Sequence, residues 1–306
     1  MRTEHYFDSH GEGRIHYLRW APEGTPKAVV QIVHGIAEYA LRYDAFARYL
    51  NSLGVLVVAE DHMGHGKSMD TGTRGYFAGG WSAAVADTYR LMELTKTEFP
   101  DIPYVLFGHS MGSFMTRTFL ARYPQSGLRG AVICGTGWMS GAVLYVGKLA
   151  GSTVCAFCGD RKPSEALQGI AFGSYNKQIP DARTPYDWLN RDAAQVDAYI
   201  ADPLCGFTAS AGLLRDMLGG MIYNQKKQTL QAMEKALPVL FIAGEADPVG
   251  DYGKGVQKAA EAFREAGMEN VTLKLYPQAR HEILNEINQQ EVYRDVSDWM
   301  QSQGIL

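Results

Sequence analysis

Six short, largely β-branched runs recur along the chain, at 28–33 (AVVQIV), 55–59 (VLVVA), 104–107 (YVLF), 131–134 (AVIC), 239–243 (VLFIA) and 271–275 (VTLKL). They are near-continuous apolar runs rather than alternating ones, so both faces of each strand are buried. Strands of that kind alternating with segments of helical period build a mostly parallel sheet with helices on both faces, an α/β fold. The helical segments carry ordinary core stripes. These are Leu41, Phe46, Tyr49, Leu50 and Leu53 closed by Gly54; Trp81, Val85, Tyr89 and Met92; Val256, Ala260 and Phe263 before Gly267; and Ile287, Val292, Val296 and Trp299 in the last helix. Residues 5–7 and 14–20, with a turn between them, read as an antiparallel hairpin on one edge of the sheet.

The alternation stops over residues 137–226, where helical pieces occur at 193–200 and 213–223 without a convincing strand, and it resumes at Pro238. At 306 residues the chain slightly exceeds the roughly 250–300 residues at which single cores stop growing. The expected organisation is one core, residues 1–136 and 227–306, interrupted by a helical cap insertion at 137–226. Residues 130–147 carry no formal charge over nearly a bilayer span, but they hold five glycines with Thr136, Trp138 and Ser140. A buried strand followed by an apolar helix fits them better than a membrane segment.

Lys and Arg total 29 against 33 Asp and Glu, with no basic run, so nothing in the charge balance favours nucleic acid. The opening MRTEHYFDSHGEG lacks the apolar centre of a secretory signal, and a cytoplasmic location is expected. The four cysteines, Cys134, Cys155, Cys158 and Cys205, are too few for a disulfide-built scaffold, and Cys155 and Cys158 form a C-x-x-C pair with no second pair or Cys/His set at zinc spacing, so packing is the expected role of that pair.

Chemistry concentrates after the 104–107 run, in Gly108-His109-Ser110-Met111-Gly112, followed by Phe114, Phe119, Leu120 and Tyr123 at helical spacing. G-x-S-x-G between a strand and a helix is a nucleophile turn: the glycines let the chain reverse sharply, and the serine sits at a helix N-terminus whose free N–H groups favour an oxyanion. A serine hydroxyl needs a base. Of eight histidines (His5, His10, His16, His34, His62, His65, His109, His281), only His281 lies downstream of Ser110, in a loop after the last strand. Sheets of this type place sites at the C-terminal ends of their strands. The acid that orients the base should follow the 239–243 strand, which offers Glu245, Asp247 and Asp251. Asp247 is preferred because Pro248 restrains its backbone, while spacing alone leaves Glu245 open. Backbone N–H groups of Met111 and, in His34-Gly35-Ile36-Ala37-Glu38, of Ile36 are the expected oxyanion donors.

At these residues the chain resembles the α/β-hydrolase superfamily, and within it the monoacylglycerol lipase and lysophospholipase branch often described as serine aminopeptidase-like. The likeness lies in His34-Gly35 with Glu38 and Arg42-Tyr43, Asp61 with Gly64-His65-Gly66-Lys67-Ser68, Arg74-Gly75, the Ser110 turn, Asp247 and His281. The resemblance implies Ser110 as nucleophile, Asp247 as acid, His281 as base, and Ile36 and Met111 as oxyanion donors, with no cofactor. It also implies that the Asp61, His62 and His65 loop is structural and holds no metal. Tyr39, Met63 and Ser113 depart from the branch, which usually has histidine, arginine and glycine there, and they bear on substrate rather than reaction type.

The implied activity is hydrolysis of a carboxylic ester of a lipid-like substrate, a monoacylglycerol, lysophospholipid or medium-chain acyl ester, through an acyl-enzyme. The partner would be a small acyl ester, with transient contact with a lipid surface. Trp138, Leu144 and Tyr145, at the apolar start of the 137–226 block, are the candidate substrate-binding residues, although packing of cap on core explains them equally. The rival readings are a proline-releasing aminopeptidase, with Asp187, Asp192, Asp197 or Asp202 holding the substrate amine, and a non-catalytic binding module of the same fold.

Overall fold

In the computed structural model, which describes residues 1–69 and 73–306, all six apolar runs are strands of one eight-stranded sheet. The hairpin pair is β1 (Arg2–Asp8) and β2 (Arg14–Trp20). The apolar runs are β3 (Ala28–Val33), β4 (Val55–Glu60), β5 (Tyr104–His109), β6 (Gly130–Cys134), β7 (Val239–Gly244) and β8 (Val271–Tyr276). Their order is β1-β2-β4-β3-β5-β6-β7-β8. β3 to β8 are mutually parallel, and β2 pairs antiparallel with both β1 and β4, so the hairpin occupies one edge. The strand order reverses at β3. From there the chain steps outward to β4 and then returns across β3 to β5, which leaves a crevice at the C-terminal ends of β3 and β5.

Period-two packing on β3 shows why its residues are all apolar but one. Val29 and Val33 join the core on one face, while Ala28, Val30 and Ile32 join the core on the other. The second face is covered by α1 (Asp44–Ser52) and α10 (Gln289–Ser302), through Phe46, Leu50, Val292, Val296 and Trp299. The first is covered by α2 (Gly80–Glu98), α3 (Met111–Arg122) and α9 (Lys254–Glu265), through Trp81, Val85, Phe119, Val256 and Phe263. Each such fully buried side chain contributes roughly 1.5–3 kcal/mol of transfer free energy. The expectation for Ile287 is corrected: α10 begins at Gln289, and Ile287 is exposed in the preceding turn, where its N–H donates to Glu286 Oε2.

Between β6 and β7 the chain forms four longer helices, α4 (Gly141–Cys158), α5 (Glu165–Phe172), α6 (Ala193–Ala201) and α7 (Ala211–Asn224), with short 3-10 turns at Tyr175–Gln178 and Asp187–Leu189, and then the six-residue α8 (Lys227–Ala232). Each of the four helices starts on a side-chain cap, from Ser140, Ser164, Asp192 and Ser210. α7 is the inner helix. Leu213, Leu214, Met217 and Met221 are buried, and Thr118 of α3 donates to Asn224 Oδ1 at 2.8 Å. Helix α4 packs on α7 and turns its other side outward, where Val146 and Leu149 are 69% and 68% exposed.

Candidate active site

Ser110 connects β5 to α3 with φ 54° and ψ −120°, a conformation that costs of order 1–3 kcal/mol for a residue with a side chain. The backbone around it supplies the compensation. Ser110 N–H donates to the Cys134 carbonyl at 3.0 Å, and Ser113 donates to the Ser110 carbonyl through both its N–H (2.9 Å) and its hydroxyl (2.6 Å). Ser113, a departure from the resembled branch, thus has a place in the turn. The flanking glycines are required by contact: a Cβ on Gly112 would overlap the carbonyls of Val33 and His34, and one on Gly108 would overlap the Gly112 carbonyl.

His281 and Asp247 arrive from the ends of β8 and β7. The His281 Nδ1 and an Asp247 carboxylate oxygen are 2.9 Å apart, and both side chains are buried. The other Asp247 oxygen accepts from Val249 N–H at 2.9 Å. Glu245, the alternative acid, is exposed. The His281 ring packs beside Trp188 and His109, with centroids 5.1 and 4.8 Å away. Gly135, at φ 60°, leaves room for it, since a Cβ there would lie 3.1 Å from His281 Cε1.

The loop after β3 is organised by Glu38. One carboxylate oxygen accepts from Gly35 N–H (2.6 Å), Tyr43 OH (2.9 Å) and His109 Nδ1 (3.1 Å), and the other accepts from Arg42 (2.9 Å). Arg42 also pairs with Glu282 through two hydrogen bonds. Burial disfavours charge on Glu38, but the His109 hydrogen bond and the charges of His109 and Arg42 outweigh it and hold the carboxyl well below its usual range. Burial likewise opposes charge on His109, and Glu38 reverses the balance, raising its pKa. The other His109 nitrogen faces the His281 carbonyl at 3.3 Å, so both ring nitrogens address acceptors, the pattern of an imidazolium.

The histidines beneath this loop behave oppositely. His34 Nδ1 donates to the Gly35 carbonyl (2.7 Å) and its Nε2 accepts from His62 N–H (2.9 Å), so the ring is neutral. Burial, aided by neighbouring histidines, lowers its pKa to about 3, and burial lowers that of His65 to about 4. The Asp61 carboxylate is occupied by His16 Nδ1 (2.8 Å) and the N–H groups of Ala40 (2.9 Å) and Lys67 (2.8 Å). Among the described residues no three His, Cys, Asp or Glu side chains gather as a metal site. Tyr39 OH donates to Asp202 (2.8 Å), and the buried Met63 sulfur accepts from Ala78 N–H (2.9 Å), so both departures tie loops together.

The neutral His65 makes stability pH-dependent. Its folded pKa of about 4 lies below the unfolded value of about 6.5. Between these values the unfolded chain binds a proton that the native chain does not, so stability falls as pH drops from about 6.5 towards 4, by up to about 1.4 kcal/mol per pH unit. Glu60, which burial raises to about 7, works with the opposite sign across part of that window, so the effect is read as a difference. Urea-unfolding free energies of wild type should fall between pH 6 and 4.5 more steeply than those of His65→Gln, by about that slope. Parallel curves would show that His65 is protonated in the native state.

Ser110, His281 and Ile36 line one cavity of about 200 Å³, whose apolar wall includes Phe172, Trp188 and Phe207. Met111 is buried at the start of α3, immediately behind Ser110. Trp138, Leu144 and Tyr145 do not line this cavity. Leu144 is wholly buried in the core, Tyr145 is 59% exposed, and Trp138 lies under the Arg117 guanidinium, 5.5 Å from its ring centroid. Sequence reasoning missed Phe172, Trp188 and Phe207, and the one available signal was the aromatic-rich, strand-free stretch 172–207 itself. The four aspartates weighed as amine holders also lie outside the wall. Asp187 accepts from Arg183 and Thr184, Asp192 caps α6, Asp197 pairs with Arg183, and Asp202 accepts from Tyr39.

A family model described as serine aminopeptidase, S33, matches residues 24–288. The monoacylglycerol lipase of Mycolicibacterium smegmatis is 33% identical over 98% of this chain and 98% of its own length. The monoglyceride lipase of Mus musculus is 30% identical, over 94% and 88%. Among solved structures, a highly thermostable carboxyl esterase from Bacillus coagulans, in complex with glycerol, superposes with a TM-score of 0.93 at 28% identity, covering 100% of this chain and 99% of that one.

Proposed function

The chain belongs to the serine aminopeptidase S33 family of α/β-hydrolases, and from that premise we propose that it cleaves carboxylic esters of lipid-like substrates with Ser110 as nucleophile, His281 as base and Asp247 as acid. The substrates are monoacylglycerols, lysophospholipids or medium-chain acyl esters. The observation that carries the reading is the buried 2.9 Å contact between His281 and Asp247 beside a cavity that also contains Ser110. Asp247 holds the Nδ1 proton of His281, which leaves Nε2 to take the Ser110 proton as Oγ attacks the ester carbonyl. Negative charge on the former carbonyl oxygen meets the N–H groups of Met111, at the α3 N-terminus, and of Ile36, in the loop after β3. Collapse of that intermediate releases the alcohol with the proton from His281, and water activated by the same nitrogen releases the acid.

Residues 137–226 act in this reading as a cap and 1–136 with 227–306 as the catalytic core. Phe172, Trp188 and Phe207 come from the first segment, while Ser110, Asp247 and His281 come from the second. The outward face of α4, with Val146, Leu149 and the 86% exposed Phe157, supports contact with a lipid surface. An ester is favoured over a peptide because the wall is apolar and its two carboxylates, Glu38 and Glu282, are already neutralised by Arg42 and His109.

A fluorophosphonate should add one adduct mass to the intact protein, located on Ser110. In parallel assays, acyl nitrophenyl esters should turn over at least 100-fold faster than proline anilides, on the order of the discrimination a shaped site achieves. The reverse preference would make the protein an aminopeptidase. A folded protein that takes up no label would be a binding module.

A further inference from the structure

A second cavity, of about 500 Å³, lies where the start of α2, the last residue of α3, α4 and α7 meet, and it shares no lining residue with the cavity of Ser110. Cations reach it from three helices: Arg122 of α3, Lys148 of α4 and Arg215 of α7. Arg122 lies 5.6 Å from the Tyr223 ring centroid and donates to the Ser82 hydroxyl at 3.0 Å. Arg215 Nε donates to Asp216 at 2.7 Å, leaving the rest of its fork uncommitted to that carboxylate. The Lys148 ammonium has no hydrogen-bond or ion-pair partner among the described residues, and it lies 3.6 Å from where a Cβ on Gly219 would stand. Asp216 is the one carboxylate in the lining. Outside the lining, Asp160 accepts from Tyr76 OH at 3.0 Å, and its charge also acts on Arg215. In a chain of net charge −4, a hollow with three cations and one acid is a local reversal of sign.

We propose that this hollow binds an organic phosphate. Two guanidinium forks and an ammonium arriving from different helices suit a tetrahedral, multiply charged oxyanion better than a planar carboxylate, which one arginine satisfies by itself. Gly219 is the glycine of the lining that sets no side chain against Lys148, while the Trp81 ring packs directly on Gly220 and closes that part of the wall. The volume exceeds that of a phosphate group alone, and Tyr223 gives the organic portion an aromatic face. A soluble phosphate monoester and the headgroup of an anionic phospholipid share this chemistry. The inference does not rest on the hydrolase reading.

Two binding arms test it, each with wild type and with the Lys148→Gln, Arg215→Gln double variant, whose fold is checked by thermal unfolding and by fluorophosphonate labelling of Ser110. Glycerol 3-phosphate is titrated calorimetrically at low salt, and flotation is measured with phosphatidylglycerol and phosphatidylcholine vesicles. Saturable heat, weakened roughly ten-fold for each cation removed, supports a soluble ligand. Selective flotation with phosphatidylglycerol that the double variant loses supports the headgroup. If wild type binds in neither arm, or if the folded double variant binds as wild type does, the site does not exist. Because labelling reports on Ser110 alone, failure here leaves the ester reading untouched, and the reverse also holds.

Discussion

Ser110→Ala is expected to lower kcat on a medium-chain nitrophenyl ester by roughly 10⁴–10⁶-fold while leaving the protein folded. The two halves of that expectation have separate causes. The turn is held by backbone groups, the Ser110 N–H on Cys134 and the Ser110 carbonyl under Ser113, and alanine supplies both. It meets the same positive-φ cost as serine, so thermal unfolding should move little. Chemistry loses its only nucleophile, and what remains is the rate over water from the oxyanion donors and from substrate binding, about 10³–10⁴-fold in triad enzymes. Single-turnover measurement on matched preparations decides the matter, and activity within ten-fold of wild type would remove Ser110 from the mechanism.

The second large effect separates two acids that are neighbours in sequence. Asp247→Asn should lower kcat/KM by about 10⁴-fold near neutral pH, because an amide in place of the carboxylate favours the wrong His281 tautomer and cannot balance the imidazolium formed during attack. Glu245→Gln should stay within about two-fold, as expected of an exposed surface substitution, since Glu245 is exposed and Asp247 is wholly buried. Should the two variants change places, the His281 partner seen here is not the one used in turnover.

The contrast between these residues also shows where sequence reasoning reaches. The strands and the Ser110 turn are local statements: β-branched runs between breakers, and glycines at positions where a Cβ would strike a carbonyl. His281 follows from chain order. Asp247 over Glu245 does not, because the decision depends on how the chain turns after Gly244. The cavity wall was missed for a related reason. The apolar opening of α4 has the composition of a lipid-lining segment, yet only packing against α7 reveals that Leu144 points inward and Tyr145 outward. The charge network under the site was likewise out of reach, since Arg42 and Glu282 stand 240 residues apart.

That separation has a consequence for biosynthesis. His281, the proposed base, follows His109, the neighbour of the proposed nucleophile, by 172 residues, so at roughly 5–20 residues per second the ribosome adds it some 10–30 s later. Until β7 and β8 dock onto β6, a nascent chain carries a serine that nothing activates. On the proposed reading, hydrolytic competence therefore arrives late and all at once, with the docking of the last two strands.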